Sequence, residues 1–184
     1  MKLELKKRPD ATKCALKMIR RKGDIPAVVY QSGKQSSKVI VNGEEFYKHL
    51  REMPKGCIST IKFSCQLEGQ SFVAIIKDIS YHRTTYRVEH IDLMPIEDDR
   101  LVRLNIPVLV VGEDQCPGVS QGGQIKRVKR SIPVSIKSKH IPEAFKMSVK
   151  NFNLGDSLRV RDLEKIDSMK VLMADHQVLM AVSK

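Results

Sequence analysis

In the segment 88–93 (VEHIDL) a histidine and an aspartate stand two residues apart, His90 and Asp92. Side chains on a strand alternate between faces, so the two project together from one side. Two kinds of chemistry can use such a pair. A hydrolase would take His90 as base and Asp92 as its orienter, but the nucleophile is missing, because Ser71 and Ser80 lie in β-type runs without the strand-to-helix elbow that exposes a reactive serine. A nucleic-acid reader would use the pair differently. Aspartate accepts hydrogen bonds from base amino groups, and histidine offers a donor or an acceptor. Phosphate repels a carboxylate, so an aspartate on a basic face points to base readout rather than to general attraction. The plainer alternative for a lone strand histidine is a satisfied structural role.

The other motifs give little catalysis. Gly118 and the Gly122-Gly123 pair have no Gly-Lys-Ser/Thr after them and no strand-to-helix setting, so they read as a loop rather than a phosphate cradle. Glu97-Asp98-Asp99 is consecutive, and consecutive strand side chains do not converge on a metal; an exposed interdomain linker fits better. Cys14, Cys57, Cys65 and Cys116 form no Cys-x-x-Cys pair, which leaves neither a zinc site nor a disulfide framework and predicts buried, reduced thiols. The reading is a protein with no catalytic residues, no metal, no cofactor and no small-molecule substrate.

Such residues need a scaffold, and 184 residues suffice for one domain or two modest ones. With 41% hydrophobic and 29% charged residues the chain is a folded one. Its formal charge of +12 favours polyanionic partners, nucleic acid first and anionic membrane second. No segment approaches the ~20 apolar residues of a membrane span, and MKLELKKRPD holds no apolar run of signal-peptide length. An intracellular protein without a membrane partner is expected. Aromatics are 5% with no Trp, which argues against a ladder of stacking rings and for a structured or double-helical nucleic acid.

Divided at Met94-Pro95, the first part carries +8 and the remainder +4. Residues 1–22 hold nine basic side chains against Glu4 and Asp10, and a second, weaker run comprises Lys126, Arg127, Lys129, Arg130, Lys137 and Lys139. Asp10 or Thr12 can cap a helix reaching about Lys22, with Gly23 in the left-handed position beyond it. At 100° per residue Lys13, Lys17, Arg20 and Arg21 share one arc, and Ala15, Leu16, Met18 and Ile19 lie opposite. An ordinary solvated face is the bland reading of those cations.

Ile25–Tyr30 and Lys38–Val41 read as two strands joined through the Gly33 region. Asn42, with Glu45 three residues on, starts a second helix whose Phe46, Leu50 and Met53 recur at helical spacing until Pro54. Cys57–Leu67 and Gln70–Ile79 around Glu68-Gly69 form a hairpin, and a loop at His82–Thr85 leads to a strand from Tyr86 to Leu93. The fold class expected is mainly β with helices: a small barrel over residues 1–94, then a β-rich domain over 95–184. In the latter, Arg100–Val111 is a long β run, Gly112–Gly123 a turn-forming loop, and shorter β runs follow at 132–136, 146–149, 157–160, 170–173 and 178–182.

ALKMIRRKGDIPAVVY (15–30), VEHIDL (88–93), IPVLVVGE (106–113), PGVSQGGQIKRVKRSIPV and NLGDSLRVRDLE occur in the order seen in one family. Over nearly its whole length the chain resembles the bacterial large-subunit ribosomal protein that binds 5S rRNA, in its long, two-domain general stress protein CTC type. The resemblance implies a six-stranded barrel-like N-terminal domain bound to the loop E and helix 4 region of 5S rRNA, with a β-rich C-terminal domain. It also implies a cytoplasmic, ribosome-associated protein whose partners are 5S rRNA and neighbouring components of the large subunit. Carried over position by position, its RNA contacts are Arg8, with Lys7 as the alternative, then Arg20, Tyr30, His90 and Asp92. The basic helix face adds Lys13, Lys17 and Arg21. Two positions depart from the family pattern: Gln31 stands where glycine is usual, and Ser80-Tyr81 where a Gln-Arg pair is usual. A serine lacks a glutamine's reach. The competing readings are a tRNA-interacting module, since the family is similar in fold to the anticodon-binding barrels of glutaminyl-tRNA synthetase, and a basic ribonuclease.

Overall fold

Alternating burial builds the first sheet. In β1 (Lys2–Lys7) Leu3 and Leu5 turn inward while Lys2, Glu4 and Lys6 face solvent, the period-two pattern of a strand with one wet face. The computed structural model describes residues 1–8, 12–30, 36–54, 56–97, 100–163 and 169–184. The expectations placed on Asp10, Gln31 and Gly33, and on Asp98 and Asp99 as linker, lie outside the described residues. Two compact units emerge, Met1–Asp98 and Asp99–Lys184.

In the first unit β1 is followed by α1 (Lys13–Arg21), β2 (Ile25–Val29), β3 (Ser37–Val41), α2 (Gly43–Glu52), β4 (Lys62–Leu67), β5 (Gln70–Tyr81) and β6 (Val88–Pro95). The six strands close into a barrel in the order β1-β3-β2-β6-β5-β4, which leaves no free edge for another chain to extend. Phe46, Phe63, Leu3, Ile25, Ile76, Ile91 and Leu93 fill its core. The β4–β5 hairpin turns at Glu68 and Gly69, both with positive φ (49° and 83°), as a two-residue turn matched to strand twist requires. β6 continues through Met94 and Pro95, which pair with Ile75 and Ala74, so the expected break at Met94-Pro95 falls inside a strand.

Both helices carry caps. Thr12 Oγ1 accepts from Ala15 N–H at 3.4 Å, and Asn42 Oδ1 accepts from Glu44 and Glu45 N–H at 2.9 and 3.4 Å, satisfying donors that have no partner within the helix. Gly23 follows α1 with φ 91°. Gly43 packs so closely on Gly23 that an added Cβ would lie 1.9 Å from the Gly23 carbonyl oxygen. Only glycine lets the end of α1 approach the start of α2 in this way.

Further details depart from expectation in this unit. Met18 is 55% exposed: it lies at the margin of the apolar arc, and the helix half-buries Ala15, Leu16 and Ile19 instead. Cys57–Ser59 is a 3-10 turn rather than strand, braced by Thr60 Oγ1 donating to Cys57 O at 2.9 Å. The strand expected from Tyr86 begins at Val88, because Tyr86 takes φ 53° in the turn before it. Cys14 is exposed, whereas Cys57, Cys65 and Cys116 are buried thiols.

The second unit holds β7 (Leu101–Val111), α3 (Pro117–Ser120), β8 (Gln124–Arg127), β9 (Ser131–Lys137), β10 (Phe145–Ser148), β11 (Ser157–Arg159), β12 (Met169–Val171) and β13 (Val178–Ser183). They form a four-stranded sheet, β10-β7-β9-β12, and a three-stranded sheet, β11-β13-β8. The loop expected at 112–123 contains a 3-10 turn at Glu113–Gln115 and the single helical turn of α3, with Pro117 at its first position, where a missing N–H costs nothing. β8 was not expected as a strand. It is a polar four-residue stretch that pairs with β13 at the sheet edge. No helix among the described residues is long and apolar enough to cross a membrane, and none of their His, Cys, Asp and Glu side chains group as a metal site.

Candidate nucleic-acid interface

Barrel register brings distant residues into one row on the outer face. Val28 on β2 pairs with Lys38 on β3 and with Asp92 on β6, and Asp92 pairs with Asp78 on β5. At the other end Arg8 N–H donates to Lys38 O at 3.0 Å, so the row reads Arg8, Lys38, Val28, Asp92, Asp78. Lys7 has the opposite parity and lies 3.7 Å from Glu68. The Arg8 Nε atom is buried and has no hydrogen-bond partner among the described residues.

His90 and Asp92 do share a face, and they touch: His90 Nδ1 lies 2.9 Å from Asp92 Oδ1. Carboxylates only accept, so Nδ1–H is the donor and Nε2 is the imidazole's remaining polar atom. A carboxylate's second oxygen can accept from another donor. With 30% and 36% of their side chains exposed, both are half-sunk in the surface and fixed by one another. Beyond β2, Tyr30 N–H donates to Leu93 O at 3.0 Å, and its phenol is held above the ordinary value by burial and then by the negative charges of Asp92 and Asp78. Tyr30 is therefore a neutral hydroxyl that can donate.

Lys38 and Asp78 are charged members of this surface that sequence reasoning missed. A bulge between Ile76 and Asp78 shifts the β5–β6 register, so strict alternation along β5 does not locate Asp78 opposite Asp92. Asp78 Oδ1 accepts from Ile79 N–H at 2.9 Å. The same register places Ser80 opposite His90, and a second shift follows between Ser80 and Tyr81. That arrangement brings a serine, a histidine and an aspartate together. Among the described residues no hydrogen bond joins Ser80 to the imidazole, and His90 Nδ1 is turned to Asp92.

The helix supplies the cations. Lys13, Lys17, Arg20 and Arg21 are all exposed on α1, and Arg20 Nε donates to Glu89 O at 3.1 Å, tying the helix to the start of β6. Arg20 and Arg21 occupy the last turn, where positive charge also complements the helix dipole. The structure thus gathers the eight expected residues as two sets in one unit: Arg8, Tyr30, His90 and Asp92 on the barrel face, and Lys13, Lys17, Arg20 and Arg21 on the helix.

Such a surface can hold phosphates with its cations and present fixed donors and acceptors to base edges. Comparison with known proteins agrees in kind. Residues 3–93 match the ribosomal L25p family, and residues 101–184 match the C-terminal domain of ribosomal protein TL5. The large ribosomal subunit protein bL25 of Chlamydia muridarum is 33% identical over 184 residues, all of this chain and all of its own. The chain belongs to the ribosomal L25p family. A bL25 protein of Chlamydia pneumoniae is 34% identical, again over the full length of both chains. This membership makes the protein a bacterial large-subunit ribosomal protein of the two-domain type, cytoplasmic and ribosome-associated, and it joins a family of structural proteins rather than of enzymes.

Proposed function

We propose that this large-subunit protein binds 5S rRNA through its barrel unit, at the irregular helix of the loop E and helix 4 region, where a widened minor groove admits the outer barrel face and α1. Double-helical RNA shows its base edges and 2′-hydroxyls in the minor groove. A reader there needs cations for the flanking phosphates and short, fixed polar groups for the bases. Lys13, Lys17 and Arg21 supply the first, with Arg8 and Arg20 bridging to the sheet. His90, Asp92 and the Tyr30 hydroxyl supply the second.

The observation that carries the reading is the 2.9 Å His90–Asp92 pair set in a basic unit. A carboxylate among phosphate-seeking cations raises the cost of binding unless it accepts from a base. Here it is locked in place by its neighbour, so it meets RNA already oriented. Titrating the full chain against 5S rRNA and against a scrambled duplex of equal length tests the proposal. Preference for 5S rRNA that survives moderate salt is expected; equal affinity for both supports general attraction and sinks it. Including Mg²⁺ and resolving the RNA on a gel exposes cleavage if the protein is a nuclease.

A further inference from the structure

The turn joining β5 to β6 carries features that a simple connector does not need. His82 Nδ1 lies 3.3 Å from the backbone N–H groups of both Thr84 and Thr85 and 3.1 Å from Thr84 Oγ1. His82 N–H donates to Arg87 O at 2.8 Å, and Tyr86 N–H donates to His82 O at 3.0 Å. These bonds hold the turn in one shape. Within it Tyr86 is 78% exposed and sits at φ 53°, a region that glycine or asparagine enters with less strain than a bulky residue. The ring gains nothing from the barrel core. A strained backbone that presents an aromatic ring to solvent from a braced turn invites a functional explanation.

The surroundings supply one. Tyr86 borders a groove of about 770 Å³ between this turn, α1 and the start of α2. The cations Lys17, Arg20, Arg21 and Arg87 on its walls outnumber the carboxylates Asp24, Glu44 and Glu89. Lys17, Arg20 and Arg21 belong to the helix face that the RNA-binding reading already uses, so the groove continues that surface. An aromatic face beside cations fits a nucleotide, with its base on the ring and its phosphate on the charges. The low aromatic content argues against a ladder of rings; one platform requires no ladder.

We propose that Tyr86 stacks on a single unpaired base of the bound RNA, whose phosphate lies along Lys17, Arg21 and Arg87. This rests on the RNA-binding reading above and adds a contact to it. Since the chain contains no Trp, Tyr86→Trp in the full-length protein installs a unique fluorophore at the site. Titration with 5S rRNA should quench its emission, and Tyr86→Ala should weaken binding about tenfold while Tyr86→Phe retains it. The salt dependence should not change, because no phosphate contact is removed. Circular dichroism should be unaltered, as the ring lies outside the core. Undiminished affinity for Tyr86→Ala, or a Trp emission indifferent to saturating RNA, overturns the proposal and leaves the RNA-binding reading intact; a ring that instead touches another protein gives this result with free RNA. Failure of the wild-type chain to prefer 5S rRNA over a scrambled duplex overturns both.

Discussion

The two units carry equal net charge and display it differently. Met1–Asp98 has 18 Lys+Arg against 12 Asp+Glu, and Asp99–Lys184 has 15 against 9, so each is +6. In the first unit four cations project from the exposed side of α1, beside a barrel face whose polar groups are fixed by strand register. In the second, Arg127 is held by Glu113 at 2.6 Å and Lys126 reaches the Lys184 oxygen at 3.4 Å. The apparent contrast of +8 and +4 across Met94-Pro95 came from placing Glu97 and Asp98 on the far side of the division. Net charge does not locate the interface. Arrangement does.

The largest effect should come from separating the units. Residues 1–98 as a fragment should fold, judged by circular dichroism and cooperative melting, and keep 5S rRNA affinity within a few-fold of the full chain. Residues 99–184 should bind 5S rRNA no better than a scrambled duplex. If the second fragment carried the preference, the contrast between the units would be reversed.

A smaller and more uniform effect is expected on the helix. Lys13→Ala and Lys17→Ala should each weaken binding to all structured RNAs by a similar factor and shallow the salt dependence by about one unit of slope per lost phosphate contact. A loss confined to 5S rRNA with an unchanged slope would move these residues from positioning to base reading.

The smallest effect concerns the barrel alone. Burial pushes the Cys65 thiol from 9.0 up to about 12. A group whose pKa is raised on folding contributes stability that is intact below its unfolded value and lost as pH climbs towards its folded one. Between about pH 9 and 12 the wild-type barrel should therefore lose stability more steeply than Cys65→Ala, measured by denaturant midpoints; parallel curves would show that the thiol is not the group responsible.

Much of this was legible in the sequence where a local rule governs. The alternation of VEHIDL put His90 and Asp92 on one face, Gly23 and a cap at Asp10 or Thr12 bounded α1, Asn42 started α2, and Glu68-Gly69 marked the hairpin. Each depends on a few neighbouring residues. What escaped depends on register or on partners far along the chain. Asp78 joins the surface only because a bulge brings it opposite Asp92. β8, with its polar QIKR sequence, becomes a strand because β13 offers an edge. Tyr86 read as the first residue of a strand, since its aromatic β preference gave no hint that His82 would fold the chain back and impose a positive φ. That Arg8 shares a row with Lys38 and Asp92 needed the pairings of β3 with β1 and of β2 with β3 and β6.

Asp92→Asn tests the central claim most directly. The substitution removes a negative charge from a basic surface, so attraction alone predicts tighter binding to every RNA. The amide still offers an acceptor to the His90 N–H at the 2.9 Å contact, so the face should stay in place and thermal unfolding should change little. If Asp92 accepts from base amino groups, the variant loses an acceptor and gains a misplaced donor, at a cost of about 1–3 kcal/mol in discrimination. The measurement is the ratio of affinities for 5S rRNA and a scrambled duplex, with melting recorded alongside. The ratio should fall while the melting temperature and the scrambled-duplex affinity hold or rise; an unchanged ratio would contradict base readout by this face.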